Sequence, residues 1–335
     1  MYKATLFLLI LFMSFNINGQ NEFVHKLYRY QSSLLNPATV GANREYLKFH
    51  GYVYKQWIGT PNSPTTQILS GEFSLYPNLG LGTYIFNDKN GNYKRVGVQQ
   101  SCSYEIMLHK SKRHVCTLAF GLSLNVEQHS INTDFLNNEQ ILDPVFNNND
   151  INGVGFNSNT GLLLRYDEHY IGFSALNLLP QTNKLYRTDD EPPLTINFNF
   201  LIGTSYKLKD RDVYFEPFFR FHAIDKKNKQ IDVNFKHYWY PPSDFAFWWL
   251  ASYRHSADNN FGKMLGLSIT PGVIYKNLSV GIEYQLGLTK AQVDYGSYYQ
   301  LVISYGIKVK KPHKRIPCSI MRRNKRHRLY KYLAY

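Results

Sequence analysis

The chain has 335 residues, with 38 Lys+Arg against 24 Asp+Glu and a formal net charge of +14. A hydrophobic share of 44% excludes a wholly disordered chain, and 3 Cys exclude a disulfide-dense secreted scaffold. Beyond the first 20 residues no run of about 18 apolar residues occurs, which excludes a bundle of membrane-spanning helices.

Residues 1–19 read as a signal peptide: Lys3 supplies the positive start, Leu6 to Phe15 the apolar stretch, and small or polar residues follow to Gly19. The apolar stretch is too short to span a bilayer, which sets the mature start near Gln20. Without a cysteine in the cleavage region, a lipoprotein is not expected. Residues 20–44 come next, as an N-terminal lead-in or plug segment. Tyr28 to Gly41 is partly apolar and carries Asn36-Pro37, which initiates a turn, then Gly41, which permits a tight backbone. It either lies within a barrel or at its mouth, or leads into the first strand.

From 45 to 309 the chain alternates with period 2. In 118–127, Leu118, Phe120, Leu122, Leu124 and Val126 face one way, while Ala119, Gly121, Ser123, Asn125 and Glu127 face the other. Stretches 194–203, 245–254, 278–289 and 299–309 repeat the pattern. The predicted strands are 46–57, 66–76, 79–87, 96–108, 114–126, 154–166, 169–177, 194–208, 212–223, 230–238, 245–254, 263–270, 272–288 and 298–309, about 14 in all, with 272–288 open to a split around Asn277. Such alternation suits a soluble sandwich or a membrane barrel. Three features favour the barrel. Several runs are long enough for a tilted span. The second face offers Gly, Ser, Asn, Gln and Glu, which fill a dry core poorly. Aromatic residues recur near the ends of runs, as an interfacial girdle requires (Tyr76, Tyr84, Phe86, Tyr104, Tyr166, Tyr170, Tyr206, Tyr214 and Tyr305). The predicted class is therefore all-β, a transmembrane antiparallel β-barrel of the outer-membrane type, as one domain over residues 20–310.

Connections are expected at 88–92, 110–113, 127–153, 178–193, 224–229 and 237–244. The last, His237-Tyr238-Trp239-Tyr240-Pro241-Pro242, is aromatic enough for a binding loop or a packed plug. Residues 311–335 form a basic C-terminal tail. Stretch 306–335 holds 11 Lys+Arg and no acid, with Lys314, Arg315, Arg322, Arg323, Lys325, Arg326 and Arg328 at its centre. Such a tail either binds an anionic surface or acidic protein, or stays solvated; nucleic acid is not expected for an exported chain. No HExxH, GxSxG, P-loop or dinucleotide fingerprint occurs, so neither catalysis nor a cofactor or metal site is expected. Cys102 and Cys116 fall on adjacent predicted strands, as a cross-strand disulfide or as two thiols.

Several stretches together resemble one family. They are Leu35-Asn36-Pro37-Ala38 with Gly41, Gln56-Trp57 with Gly59, Pro64-Thr65-Thr66-Gln67, Gly80-Leu81-Gly82, Asp88 with Gly91, Ser103-Tyr104, Asp143-Pro144-Val145-Phe146, Gly172-Phe173-Ser174, Ile231-Asp232-Val233-Asn234 and Tyr253-Arg254. In order and spacing they resemble the PorP/SprF family of Bacteroidota outer-membrane proteins, linked to the type IX secretion system and gliding motility. The resemblance covers about residues 24–309. It implies a non-enzymatic outer-membrane component that assists export or surface attachment of a large secreted protein or adhesin. The implied partners are membrane lipid, secretion-system or adhesin proteins, and a periplasmic peptidoglycan-linked protein. Candidate contacts are Asn36, Pro37, Gln56 and Trp57, with Tyr238, Trp239 and Tyr240 in the aromatic connection. The basic tail departs from the family, whose members end near the last strand. Two alternatives remain: a passive porin or solute transporter lined by Asn197, Asn199, Glu216, Arg220, Glu283 and Gln285, and a surface β-sandwich adhesin.

Overall fold

The structure, a computed structural model, describes residues 24–57, 60, 62–76, 78–111, 114–131, 152–179, 195–208, 212–224, 229–257, 264–286 and 298–309. Its strands are β1 (Tyr46–Lys55), β2 (Thr65–Tyr76), β3 (Leu79–Asn90), β4 (Tyr93–Lys110), β5 (Val115–Ile131), β6 (Asn152–Tyr166), β7 (His169–Leu176), β8 (Asn197–Thr204), β9 (Tyr206–Lys207), β10 (Val213–Ala223), β11 (Lys229–Trp239), β12 (Phe245–Ser256), β13 (Met264–Tyr275), β14 (Leu278–Leu286) and β15 (Tyr298–Lys308). The two-residue β9 continues β8 on the same side of β10, so the barrel has 14 spans. Each strand pairs antiparallel with its chain neighbour, and β15 closes onto β1 over ten rungs, from Tyr46↔Lys308 to Lys55↔Tyr299. Closure leaves no open edge, which hydrocarbon requires.

The faces follow the sequence parity. Leu124 is 60% exposed and Ile282 55%, whereas Ser123, Asn125 and Glu283 beside them are buried. The apolar side faces outward and, among the described residues, no second sheet covers it; the closed single sheet removes the β-sandwich reading. Among the described residues no helix is long and apolar enough to cross a membrane, so the strands do the crossing.

Several sequence expectations need correction. Stretches 263–270 and 272–288 are one strand ending at Tyr275 and another beginning at Leu278; the split falls at Lys276-Asn277, as 272–288 allowed, and not at residue 271. Pro271, between the two predicted stretches, sits inside β13, opposite Trp249 of β12. Strands β4 and β5 run 18 and 17 residues, beyond the predicted ends. Their outward set turns polar at Lys94 and Gln128, yet the rungs continue to Tyr93↔Ile131. Of the expected girdle, Tyr76, Tyr104, Tyr166, Tyr206 and Tyr305 face outward, while Tyr84, Phe86, Tyr170 and Tyr214 are buried inside. Nearness to a strand end does not decide the face; parity along the strand does. Cys102 lies opposite Leu122 and Cys116 opposite His109, so the register keeps the two cysteines apart as free thiols.

The two mouths differ. At one, β1 begins and β15 ends, and the connections are 77–78, 111–114, 167–168, 208–212, 240–244 and 276–277. The outward Tyr76, Tyr104, Tyr166, Tyr206, Trp239 and Tyr305 ring this short-turn mouth. At the other mouth the described strand ends are joined through 56–64, 91–92, 132–151, 177–196, 224–228, 257–263 and 287–297, of which 58–59, 61, 132–151, 180–194, 225–228, 258–263 and 287–297 lie outside the described residues. An arginine at a mid-barrel outward position costs about 2–4 kcal/mol and one near the interface about 0–1. Ile282→Arg should therefore destabilise by the larger amount and Gln128→Arg by the smaller, measured by urea unfolding from lipid vesicles.

Candidate functional site in the barrel lumen

Residues 26–43 do not pair beside β1. They run inside the barrel, and Leu27, Tyr28, Arg29, Tyr30, Leu34, Leu35, Asn36, Ala38 and Val40 are all buried. The backbone makes one helical turn, Val24–Leu27, and two 3-10 turns, Ser32–Leu34 and Pro37–Thr39. Lys26 contacts Tyr54 and Tyr298 near the long-loop mouth. Gly41 lies against the β2–β3 hairpin near the short-turn mouth, so the segment traverses the lumen.

Shape holds its second half. Asn36 caps the Pro37–Thr39 turn: its Oδ1 accepts from the Ala38 amide at 3.0 Å, and Pro37 lacks an N–H at a position where none is needed. The Asn36 amide then donates to the Leu162 and Phe173 carbonyls of β6 and β7. The wall makes room here. A Cβ on Gly121 would lie 2.1 Å from the Ala38 nitrogen, and one on Gly161 would lie 2.0 Å from Asn36 Oδ1. Gly41 turns the chain with φ +63, and Ser103 donates to the Val40 carbonyl at 2.6 Å.

Charge holds its first half. Arg29 donates to both Glu283 oxygens, at 2.7 and 3.0 Å, and to Ser268 at 2.8 Å. Tyr30 and Tyr298 also donate to Glu283, whose side chain is 0% exposed. Burial lowers the Arg29 pKa, but the Glu283 carboxylate more than offsets this and holds it above the ordinary arginine value. A second cluster surrounds Tyr28, whose hydroxyl donates to Asp232 at 3.0 Å and accepts from Asn234 at 2.9 Å. Arg220 and Arg254 pair with the same Asp232, and the Arg220 guanidinium lies 4.6 Å from the Tyr28 ring centre. Burial, then the Asp232 charge, pushes the Tyr28 hydroxyl up. Gln31 accepts from Ser70 and Tyr52. A small chamber remains toward the short-turn mouth, lined by Tyr30, Lys48, His50, Lys236 and Trp248.

The sequence-selected residues do not form one site. Asn36 and Pro37 sit in the lumen against β5, β6 and β7. Gln56 and Trp57 follow β1 at the long-loop mouth, where Gln56 accepts from Tyr54 and Trp57 adopts φ 54. Tyr238 and Trp239 belong to strand β11, not to a loop. Tyr238 faces inward and stacks with Tyr240 at 6.3 Å, while Trp239 faces outward against Phe247 at 5.7 Å. The expected porin lining of Glu216, Arg220, Glu283, Asn197, Asn199 and Gln285 is buried. Lys314, Arg315, Arg322, Arg323, Lys325, Arg326 and Arg328 lie outside the described residues. Sequence reading missed Arg29 as the partner of Glu283. The signal available was an arginine between two tyrosines in a segment preceding strands with acids on their inner face.

Removing one partner of a buried ion pair costs about 3–5 kcal/mol, whereas replacing both with apolar groups is often near neutral. Arg29→Met should therefore expose residues 26–31 to protease and destabilise the barrel by that order. Arg29→Met with Glu283→Leu should recover much of the loss in urea unfolding. Lys26 adds a pH dependence. Burial, followed by repulsion from Arg254, lowers its pKa to about 7. A released segment would restore the ordinary lysine value, so between about pH 7 and 10 the released form binds the extra proton. Seating strengthens as pH rises through that window and is weakest below it. Amide exchange over 26–31, corrected for its intrinsic pH dependence, should slow from about pH 7 to 9, and Lys26→Met should abolish that change.

The family description "Type IX secretion system membrane protein PorP/SprF" matches residues 17–305. Among solved structures the fold is similar to a CymD monoaromatic hydrocarbon channel, at 12% identity and TM-score 0.51, over 85% of this chain and 94% of that one. A Pseudomonas putida toluene transporter TodX gives 11% identity and TM-score 0.47, over 87% and 98%. At such identity the likeness is one of fold alone. No curated protein matches the chain. The chain therefore belongs to the PorP/SprF family of type IX secretion system membrane proteins and is an outer-membrane β-barrel.

Proposed function

We propose that this barrel is a plugged, non-enzymatic component of the type IX secretion system, which assists export or surface attachment of a large secreted protein or adhesin. Residues 26–43 are the plug. The observation that carries this reading is the Arg29–Glu283 pair, with both side chains at most 2% exposed, in the middle of what a porin would keep as its water path. A conducting pore needs its charges wetted; here they are spent on holding an internal segment.

Short turns in such barrels face the periplasm. On this reading the mouth bearing Arg44, Glu105 and Arg165 faces the periplasm; there Arg44 and Glu105 pair at 2.7 Å. This firm, aromatic-ringed rim is the surface that would dock a periplasmic peptidoglycan-linked protein. The long-loop mouth, with Gln56 and Trp57 at its rim, would meet the exported protein.

Planar-bilayer recording on the intact mature chain tests the plug, and should give no steady ohmic conductance. Affinity capture of the tagged chain from its native outer membrane, read by mass spectrometry, should recover secretion-system proteins or a secreted adhesin. A steady conductance with no such proteins recovered would replace this reading with the porin.

A further inference from the structure

We propose that the wall carries a binding groove for one acyl chain of a membrane lipid, on its outward side where β7, β8 and β10 meet. This site does not rest on the secretion role. It begins with a fault in the ladder. The β8–β10 pairing ends at Phe218↔Gly203 and the β9–β10 pairing resumes at Phe215↔Tyr206, in unchanged register. The two intervening rungs, Pro217 with Thr204 and Glu216 with Ser205, are missing. Pro217 has no N–H to give, and the Ser205 amide donates instead to the Glu168 carbonyl at 3.1 Å.

Where the rungs fail, the wall opens outward into a groove of about 470 Å³. Ile171, Ile202, Pro217, Phe219 and Val233 form its sides. Three buried inward side chains, Tyr170, Phe218 and Asn234, line it on the lumen side. The Tyr170 ring lies across Gly203, where an added Cβ would meet the Tyr170 hydroxyl at 2.2 Å. The Phe218 ring meets the plug's Tyr28 edge-on at 6.3 Å. The groove is therefore blind: open to the bilayer and shut to the lumen.

Its occupant follows from where it opens. Ile171 and Val233 belong to the exposed apolar belt that faces hydrocarbon, so the groove is continuous with the barrel's lipid contact. Its lining is mainly apolar, with His169, Thr204 and Asn234 as polar members, so hydrocarbon suits more of it than water does. Lipid hydrocarbon is the medium at hand, and an unbranched acyl chain suits a slot running between strands.

The test uses the intact mature chain in vesicles of dioleoyl phosphatidylethanolamine and dioleoyl phosphatidylglycerol. A minor share of phosphatidylcholine carries a diazirine at the end of one acyl chain. After irradiation, peptide mapping should find label at 202–204 and 217–219 about tenfold above that at Leu124 and Ile282, the gain that two additional buried methylenes supply. Thr204→Trp, which fills the groove from outside, should remove the excess and leave labelling at Leu124 unchanged. If that variant lacks the heat-modifiable band of a folded barrel, Val233→Trp provides the same reading. Label spread around the belt in proportion to exposure would overturn the proposal, as would an excess that survives the tryptophan.

Discussion

The buried pair of Arg29 and Glu283 is the constraint around which the lumen is arranged. A barrel of this width presents an inner face of amides, hydroxyls and charges, and each must find water or a partner. Filling the lumen with chain removes the water, so the filling segment must bring complementary groups. Arg29 does so for Glu283 and Ser268, Tyr28 for Asp232 and Asn234, and Gln31 for Ser70 and Tyr52. The identity of the inner face therefore dictates the identity of the segment.

The segment is held by two unlike means. Around Asn36-Pro37-Ala38 the fit is steric: absent side chains at Gly121 and Gly161 admit the turn, and neutral hydrogen bonds fix it. Around Lys26 to Tyr30 the fit is electrostatic, built from one cation against Glu283 and a tyrosine against Asp232, with Arg220 and Arg254 in support. A change in pH acts on the second region and leaves the first untouched. A fall in pH from about 10 to 7 therefore loosens the segment first at the long-loop mouth, where Lys26 sits.

Much of the fold was legible because strand parity is local. Leu122 against Ser123, and Ile282 against Glu283, declared their faces without reference to any other residue. Boundaries were less legible where a tertiary fact overrode a local one. Pro271 reads as a strand breaker, yet the rungs to β12 carry it, and the lost donor falls on the β14 side, where Thr270 and Pro271 make no pairing. Tyr238 reads as a loop aromatic beside Pro241-Pro242, yet β10 extends far enough to pair with it at Tyr214. The lumenal site was half legible. Asn36-Pro37 announced a turn, but which strands bore the glycines to receive it depends on the closed register. The Arg29–Glu283 contact spans most of the chain, and no local pattern encodes such a distance.

The wall and the segment depend on each other in a further way. Ladder rungs are missing beside Pro217 and beside Pro271, and each of these places is backed from inside by an aromatic ring. Tyr170 covers the first beside Gly203, and Trp248 covers the second against Gly272 and Gly281. Those covers lean on the segment in turn. Trp248 packs against Tyr30 at 6.3 Å, and Phe218, beside Tyr170, packs against Tyr28 at the same distance. Aromatic contacts of this kind contribute about 0.5–1.5 kcal/mol beyond the area they bury. Two such contacts brace the wall where backbone hydrogen bonds are missing. A barrel whose lumen is filled can tolerate proline in its strands, because part of the cohesion lost between neighbours is returned across the interior. An emptied barrel would have to recover those rungs or open at them.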